Sequence, residues 1–418
     1  MGNPFPFVLA DLRRSRAGAL AIILLVALAV GLGVAVSAQD RALREGSARA
    51  ADRFDLLIGA PGSETQLVLS TVYLQPAAIE LIDGAILADL AAHPDVVEAA
   101  PIGFGDNWRG HPIVGTTAGF LAPGGTPPLA EGRLFERIDE VVVGADVPLA
   151  LGDEFEPAHG HVEMEDEEEH GFHQHVVGRM QRQGTPWDRA IIAPIEAIWW
   201  VHSLPVGHAL DEAALWPDGL HGEPALDLIP LGPPFDRAEL PGVPAIVVKP
   251  ASFAAAYQLR QEYRAADGTM AVFPAEVLVQ LYALLGDVRD LVATISLLTQ
   301  VLVIGAVLLA VLASLAQRRR LIGVLRALGA SRPFVFATIW LNVALILTVG
   351  ALLGLLVGYG GAFLVGRLFE SRTALSLPVG LGLAELRLVL AIVLAGSVLA
   401  TIPAAFAYRG SVAQALRG

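Results

Sequence analysis

The chain has 418 residues, of which 54% are hydrophobic and 17% charged, with a mean hydropathy of +0.57 and a formal net charge of −14. This length is too great for one ordinary soluble core, and an average soluble domain is about 25% charged, so the composition favours a membrane protein. The sequence contains no cysteine, which excludes disulfides and thiolate chemistry.

The charge is divided unevenly along the chain. Residues 39–290 contain 15 basic and 39 acidic side chains, a net charge of −24, whereas the other residues contain 13 basic and 3 acidic ones, a net charge of +10. One long acidic block therefore lies between basic, mostly apolar segments.

The first apolar segment is residues 17–38, which carries no charge and follows Arg13, Arg14 and Arg16. As a helix it reaches about 33 Å, enough to cross a hydrocarbon layer of about 30 Å. A cleaved signal peptide is the alternative, because residues 36–38 (Val-Ser-Ala) resemble a cleavage site. The segment is longer than the apolar core of such peptides, about 7–15 residues, so we expect an uncleaved transmembrane helix.

Three further apolar segments follow the acidic block, at residues 291–316, 333–369 and 388–408. If the chain crosses the membrane four times, the arginines after the second and fourth segments lie on the same side as those before the first. The positive-inside rule makes that side cytoplasmic and places the acidic block outside a bacterial inner membrane. The remaining segments are then a cytoplasmic N-terminus (1–16), an external loop (370–387) and a cytoplasmic C-terminus (409–418).

The acidic block alternates short apolar runs with turn residues, which predicts an α+β domain over residues 39–273. Its clearest predicted elements are strands at 54–59, 140–144 and 245–248 and a helix at 77–92. Residues 274–290 are also helical in pattern and lead into the second apolar segment, so we expect a stalk helix continuous with it. The predicted fold is an α-helical membrane protein with four transmembrane helices and a large extracytoplasmic α+β domain between helices 1 and 2.

Gly350, Gly354 and Gly358 are spaced four residues apart in the third apolar segment. Small residues at this spacing let two helix backbones approach closely in lipid, which predicts a helix–helix contact. The alternative is that membrane helices are simply rich in glycine. No charged residue lies in the apolar core of any segment, which argues against an ion path through the bilayer.

Residues 159–175 contain five of the ten histidines and six carboxylates. Neutral imidazole binds Zn²⁺, Cu²⁺ or Ni²⁺, and carboxylates can add charge. The spacing is not that of a tetrahedral structural zinc site, and the alternative is a solvated loop that binds metals loosely. The candidate ligands, for weakly bound zinc, are His159, His161, His170, His173 and His175.

Residues 317–332 form the most specific motif. Leu321, Leu325 and Leu328 have the i, i+4, i+7 spacing of an amphipathic helix, and Gly329 is placed to end it. The basic residues on its flanks are Arg318, Arg319, Arg320, Arg326 and Arg332. Such a helix either lies on the membrane surface or docks into a groove of a partner, and the residues alone leave both possibilities open.

Residues 319–330, Arg-Arg-Leu-Ile-Gly-Val-Leu-Arg-Ala-Leu-Gly-Ala, closely resemble the cytoplasmic elbow of the MacB/FtsX-like (type VII) ABC transporter permeases. That family's pattern is Arg-Arg-x-Ile-Gly-Ile-Leu-Arg-Ala-Leu-Gly-Ala. Residues 402–405 and 411–417 resemble the family's closing Pro-Ala…Pro-x-x-Ala-Leu-Arg, although Val412 or Ala413 replaces the second proline. The order of one span, a large domain and three spans is also the family's, and parts of residues 132–178 resemble its periplasmic core domain.

The resemblance implies that the elbow is a coupling helix that docks on an ABC ATPase. The coupling residues would be Arg320, Leu321, Leu325, Arg326, Leu328 and Gly329. The only lysine, Lys249, is not part of a Gly-Lys-Ser/Thr phosphate loop, so ATP and Mg²⁺ are expected in a separate subunit and no catalytic or cofactor-binding residue is predicted here. The expected partners are two ATPase copies, a second copy of this chain, membrane lipids and a periplasmic adaptor or metal-binding protein, with no nucleic acid.

Two functions fit these features. The first is a transporter permease that passes ATP-driven motion to the external domain and so moves or extracts cargo. The second is a regulatory protein of the FtsX type that controls an external partner without transport, with Trp108, Trp199, Trp200 and Trp216 as contact residues. Packing in the core is the plainer interpretation of these tryptophans, and the large external domain favours transport.

Overall fold

Two sets of residues pack separately in the computed structural model, which describes residues 3–159, 172–217, 224–317, 324, 326–327, 329–373 and 375–409. The first set, the helical unit, comprises residues 1–45, 283–368 and 377–418. The second set, the sheet unit, comprises residues 46–282 and 369–376. The sheet unit therefore includes a short segment from the C-terminal part of the chain.

The helices range from single turns to more than forty residues. In chain order they are α1 (Phe5–Arg14), α2 (Arg16–Ala51), α3 (Glu64–Tyr73), α4 (Ala85–Ala91), α5 (Ala118–Leu121), α6 (Ile195–Val201), α7 (Glu212–Leu215), α8 (Phe253–Ala265), α9 (Pro274–Gln317), α10 (Arg332–Thr373), α11 (Leu383–Leu399) and α12 (Thr401–Arg409). Within the described residues, the helices that are long and apolar enough to cross a membrane are Arg16–Ala51, Asp290–Ala313, Arg332–Ser371 and Leu383–Ala405.

The long helices extend beyond the apolar segments in the sequence. The apolar pattern over 274–290 belongs to α9, which continues without a break to Gln317. Pro333 lies in the first turn of α10, where its missing N–H costs no hydrogen bond. The last apolar segment is divided at Ala400, and Pro403 lies in the first turn of the helix that follows.

The sheet unit is built on eleven described strands. They are β1 (Leu56–Gly59), β2 (Val96–Trp108), β3 (His111–Thr116), β4 (Leu129–Gly132), β5 (Glu140–Val143), β6 (Glu154–Phe155), β7 (Ala158–His159), β8 (Gln174–Met180), β9 (Ile191–Pro194), β10 (Ala245–Pro250) and β11 (Met270–Val272). Their order is β11-β1-β10-β2-β3-β9-β5-β8-β4, with β6 paired to β8 and β7 paired to β2. The sheet is mixed, because β3 with β9 and β5 with β8 are parallel pairs.

The core of the sheet unit is formed by the central strands and the short helices packed on them. Strands β1, β5 and β9 are buried along their whole length, as expected of strands that are covered on both faces. Helix α6 packs against β2, β3 and β9, and Ile195 and Ile198 fill the space above Gly103 and Gly115. The largest fully buried side chains include Leu56, Ile58, Leu87, Ile102, Ile113 and Ile191.

The predicted strands at 54–59, 140–144 and 245–248 coincide with β1, β5 and β10 to within two residues. The helix predicted over 77–92 is wrong in its first half, because α4 begins only at Ala85. Residues 75–81 lie in no helix or strand, and the buried Ile82 forms a β-bridge with Val243. Asp83 then accepts a hydrogen bond from the Ala85 amide at 2.9 Å and starts the helix.

Candidate functional site

The three glycines of α10 lie directly against α2 in the helical unit. A Cβ atom at Gly350 would be 2.8 Å from the Cβ of Val26, and one at Gly354 would be 2.7 Å from the Cβ of Val30. A Cβ atom at Gly358 would be 2.7 Å from the carbonyl oxygen of Gly31. Real Cβ atoms do not approach other atoms this closely, so the two backbones are in contact only because these residues lack side chains.

A polar cluster joins α2, α10 and α11. The Glu385 side chain is fully buried and accepts hydrogen bonds from the Ser37 hydroxyl at 2.8 Å and the Tyr359 hydroxyl at 3.2 Å. Arg41 lies 3.5 Å from the same carboxylate, and Tyr359 accepts a hydrogen bond from the Gly382 amide at 2.9 Å. An ionised side chain without solvent exposure is stable only with such partners, so the cluster fixes the relative position of three helices.

The sequence did not single out this cluster. Leu388 was expected to open the fourth span, with Glu385 in the preceding external loop. In the structure α11 begins at Leu383, and Glu385 lies in its first turn. A carboxylate at a helix N-terminus interacts favourably with the helix dipole, which gives a physical reason for the earlier start.

The elbow is described only in part. Arg326 is helical, and Gly329 follows with a φ of 98°, in the left-handed region where helices commonly end. The Gly329 amide donates a hydrogen bond to the carbonyl of Arg326 at 3.1 Å, and the Ser331 hydroxyl accepts one from Phe334 at the start of α10. The other predicted coupling residues, Arg320, Leu321, Leu325 and Leu328, lie outside the described residues.

Of the five candidate metal ligands, the side chains of two are described. His173 lies 3.6 Å from a carboxylate oxygen of Glu154, and His175 lies 4.0 Å from a carboxylate oxygen of Asp139. His159 is the last residue of β7, but its side chain lies outside the described part of the structure. His161 and His170 lie wholly outside the described residues. Among the described residues, no three His, Asp or Glu side chains come together in a way that could hold a metal ion.

The four tryptophans named as contact candidates pack against other aromatic rings of the sheet unit. Trp199 is 2% exposed, and its ring centre is 5.9 Å from that of Phe235. Trp200 stacks on Trp216 at 6.3 Å, and Trp108 lies edge-on to Phe155 at 5.9 Å. Distances of this size are typical of aromatic packing in a core.

A cavity of about 820 Å³ opens beside β2 and β3 in the sheet unit. Its apolar walls include Leu74, Ile79, Phe104, Val114, Pro186 and Pro244. Residues 75–81, which lie in no helix or strand, form one side, and the register shift between Phe104 and Asn107 in β2 lies at another. Bulges often occur where a sheet makes room for a ligand, and this volume is that of a typical small-molecule pocket.

Few charges border this cavity. Of the described residues that line it, Arg189 is the only lysine or arginine, and Asp106 is the only carboxylate. The Asp106 side chain is 1% exposed and lies 3.8 Å from Nε2 of His202, so little of its negative charge reaches the open space. Burial lowers the pKa of the nearby His111, and the positive charge of Arg189 lowers it further, which keeps this imidazole neutral near pH 7.

The segment of residues 369–376 completes the wall of the same cavity. Thr373, the last residue of α10, lines it. The amide of Ser376 donates a hydrogen bond to the carbonyl of Gly184 at 3.2 Å, and Glu370 acts electrostatically on Arg182. The end of the third apolar helix is therefore a structural part of the sheet unit.

Glu98 lies on a different face of the sheet unit, in a cavity of about 510 Å³. One oxygen of its carboxylate is buried without a hydrogen-bond partner among the described residues. Burial raises the pKa of Glu98, while the charges of Lys249 and Arg53 oppose that rise. Folding therefore disfavours the ionised form of Glu98 relative to the unfolded chain.

Comparison with known proteins identifies a family for the C-terminal part of the chain. Residues 293–412 match the family described as FtsX-like permease C-terminal. This range includes the elbow, most of the apolar part of α9, and α10 to α12. No curated protein matches the sequence.

Two solved structures are similar to about half of the chain. The periplasmic region of MacB from Actinobacillus actinomycetemcomitans matches with 10% identity and a TM-score of 0.32, over 55% of this chain and 94% of that one. The extracellular domain of the noncanonic ABC-type transporter YknZ from Gram-positive bacteria matches with 11% identity and a TM-score of 0.26, over 52% of this chain and 98% of that one. Similarity at these TM-scores supports no inference about the function of the cavity.

Proposed function

We propose that this chain, whose residues 293–412 match the FtsX-like permease C-terminal family, is the membrane subunit of an ABC transporter that relays the motion of a separate ATPase to its sheet unit. The observation that carries the proposal is the family match, because it spans the elbow and the three C-terminal apolar helices together. Such a subunit moves or extracts cargo outside the membrane by mechanotransmission and hydrolyses no ATP itself.

The charge distribution supports a topology for this subunit. The basic ends of the apolar segments favour cytoplasmic termini, and with four membrane spans the sheet unit, which follows the first span, is then external. Because the chain has no cysteine, single substitutions such as Thr126→Cys and Ser331→Cys provide unique labelling sites. A membrane-impermeant maleimide should label the first in intact cells and the second only after permeabilisation, and the reverse pattern would overturn the topology.

The continuity of α9 supports the proposed transmission. A single helix runs from Pro274, directly after β11, to Gln317, which precedes the elbow. A displacement at its cytoplasmic end therefore has an uninterrupted path along hydrogen-bonded backbone. We propose that two copies of the chain and two ATPase subunits form the complex.

The elbow provides the test of the proposed coupling. Leu325→Glu places a charge on the apolar stripe and should abolish co-purification of an ABC ATPase from native membranes, while the protein still inserts into the membrane. Ala327→Glu makes the same change off the stripe, at an exposed position, and should leave co-purification intact. Equal recovery of the ATPase with both variants would refute docking through the stripe.

An FtsX-like regulatory role is the alternative, in which the same motion controls an external partner and nothing is transported. The genes beside this one discriminate the two roles. A neighbouring ATPase together with an adaptor protein favours transport, whereas a neighbouring ATPase together with an external enzyme favours regulation.

We further propose weak zinc binding by the histidines of residues 159–175, a property that fits either role. Deleting the whole segment is a poor test, because Phe172 and Gln174 are buried and β8 begins at Gln174. Changing the five histidines to asparagine removes the imidazoles and keeps the chain length. Zinc titration should show micromolar binding that the variant loses, and unchanged binding would refute the proposal.

A further inference from the structure

We propose that the cavity beside β2 and β3 binds an uncharged molecule with an apolar body, of the class of a long-chain alcohol. The volume of about 820 Å³ lies within the range of pockets that enclose drug-sized ligands, about 300–1,000 Å³. Most of the side chains in its wall are aliphatic, proline or phenylalanine side chains, and an apolar ligand gains free energy by covering them. The polar side chains in the wall then decide whether the ligand can also carry a charge.

The two charged residues in the described wall of the cavity already have partners within the protein. The Asp106 side chain is 1% exposed and lies 3.8 Å from Nε2 of His202. Arg189 is likewise engaged by another residue of the chain. An ion that enters an apolar cavity loses its hydration, and without a free counter-charge it gains no ion pair in return. The cavity therefore favours an uncharged ligand over a charged one of the same shape.

Most of the uncharged polar side chains in the wall are engaged as well. The Tyr73 hydroxyl donates a hydrogen bond to a backbone carbonyl of α2 at 2.9 Å. The Thr373 hydroxyl donates one to a backbone carbonyl at 3.0 Å and accepts one from a backbone amide at 3.3 Å. The Asn107 side chain accepts one from a backbone amide at 3.3 Å and donates one to a backbone carbonyl at 3.5 Å. Ser70 and Gln75 complete the polar side chains of the described wall, and neither carries a charge.

Leu74 is held in an unfavourable backbone conformation in the wall of this cavity. It ends α3 with a φ of 52° and a ψ of 34°, in the left-handed region where glycine is the usual residue. A residue with a Cβ atom is strained there, and strained residues are concentrated at ligand-binding sites. The strain thus coincides with an apolar side chain that a bound ligand would contact.

The test uses the full chain in nanodiscs of zwitterionic lipid, with Ala78→Cys in the cavity wall as its only thiol. The rate of modification by N-ethylmaleimide is followed by intact mass with equal free concentrations of 1-decanol, decanoate or decylammonium, which share a chain length and differ in charge. Decanol should slow the reaction at least fivefold, and each of the two ions less than twofold. Ala265→Cys, at an exposed position of α8 outside this cavity, is the matched control and should react at the same rate throughout.

Substitutions in the Ala78→Cys protein test the two parts of the argument separately. Leu74→Gly removes a side chain from the wall and relieves the strain, so it should at least halve the protection by decanol while tryptophan fluorescence shows that the protein remains folded. Ser203→Gly, at an exposed residue with a φ of 56° outside the cavity, is the matched control and should leave the protection unchanged. Ile79→Lys adds an unengaged positive charge to the wall, so decanoate should then slow the reaction at least fivefold relative to the same variant without amphiphile.

Three results would each overturn the proposal: no protection by decanol, protection by either ion equal to that by decanol, or protection of the control thiol. Full protection by decanol in the Leu74→Gly variant would overturn it as well. The measurements need no ATPase, so their outcome is independent of the coupling test at the elbow. Loss of ATPase docking with intact decanol protection would leave the cavity proposal standing, whereas normal docking without protection would overturn it and leave the permease function standing.

Discussion

Substituting Gly354 with alanine tests whether close backbone contact holds α2 and α10 together. The added Cβ atom would lie 2.7 Å from the Cβ of Val30 and 2.8 Å from the carbonyl oxygen of Ala27. Carbon atoms in contact prefer a separation of about 3.5–4.0 Å, so the two helices would have to move apart locally by about 1 Å. Overpacking of this kind costs about 1–3 kcal/mol.

Gly361→Ala is the matched control, because it lies in the same helix and a Cβ atom there would meet nothing within 4 Å. Alanine is favoured over glycine inside a helix by about 1 kcal/mol, a gain that both variants share. The difference between them therefore isolates the packing cost, for which we expect about 2 kcal/mol. SDS-induced unfolding of the purified protein, followed by far-ultraviolet circular dichroism, measures this difference, and equal midpoints for the two variants would refute the packing argument.

Three other substitutions test separate features. Glu385→Ala removes the buried partner of Arg41 and should destabilise the helical unit by about 3 kcal/mol in the same SDS assay. Glu45→Ala removes a half-exposed partner of Arg41 and should cost less than about 1 kcal/mol. Glu98→Gln should stabilise the sheet unit by about 1 kcal/mol near pH 7, because burial raises the pKa of Glu98 and folding therefore disfavours its ionised form relative to the unfolded chain. The gain should vanish below about pH 4, where the carboxyl group is protonated in both states. Tryptophan fluorescence during urea unfolding should show no such pH-dependent gain for the exposed Glu80→Gln. Gly329→Ala should reduce the amount of co-purified ATPase severalfold, because a φ of 98° is strained for alanine. Gly329→Asn should reduce it less, because asparagine tolerates a positive φ better than alanine does. An equal loss of ATPase with both variants would contradict the strain argument.

The membrane helices could be predicted from the sequence because each is a long uninterrupted apolar run. The continuation of α2 beyond residue 38 to Ala51 could not be predicted, because this part of the helix lacks the apolar run that marks its first part. Helix α1 was not predicted, because residues 5–14 are too short and too mixed in polarity to be distinguished from a loop. The three glycines could be singled out in advance because their spacing is itself the physical requirement for close contact.

The sheet unit was predictable as a class but not in its topology. Strands β1, β5 and β10 each contain a run of at least three apolar residues, and such runs are visible locally. The pairing of β1 with β10 joins residues 186–192 positions apart, that with β11 joins residues 211–215 positions apart, and nothing in the local sequence specifies either pairing. For the same reason the cavity could not be predicted, because its walls come from distant parts of the chain.

The membership of residues 369–376 in the sheet unit has a practical consequence for anyone who expresses this unit alone. A fragment cut at residues 46 and 282, the natural choice from the order of the elements, would omit a piece of its own fold. Gly184 would lose its hydrogen bond from Ser376, and the cavity would gain an artificial opening where Thr373 belongs. The free energy of unfolding of such a fragment would then be lower than that of the complete unit, and fusing residues 369–376 back onto it through a flexible linker should restore it.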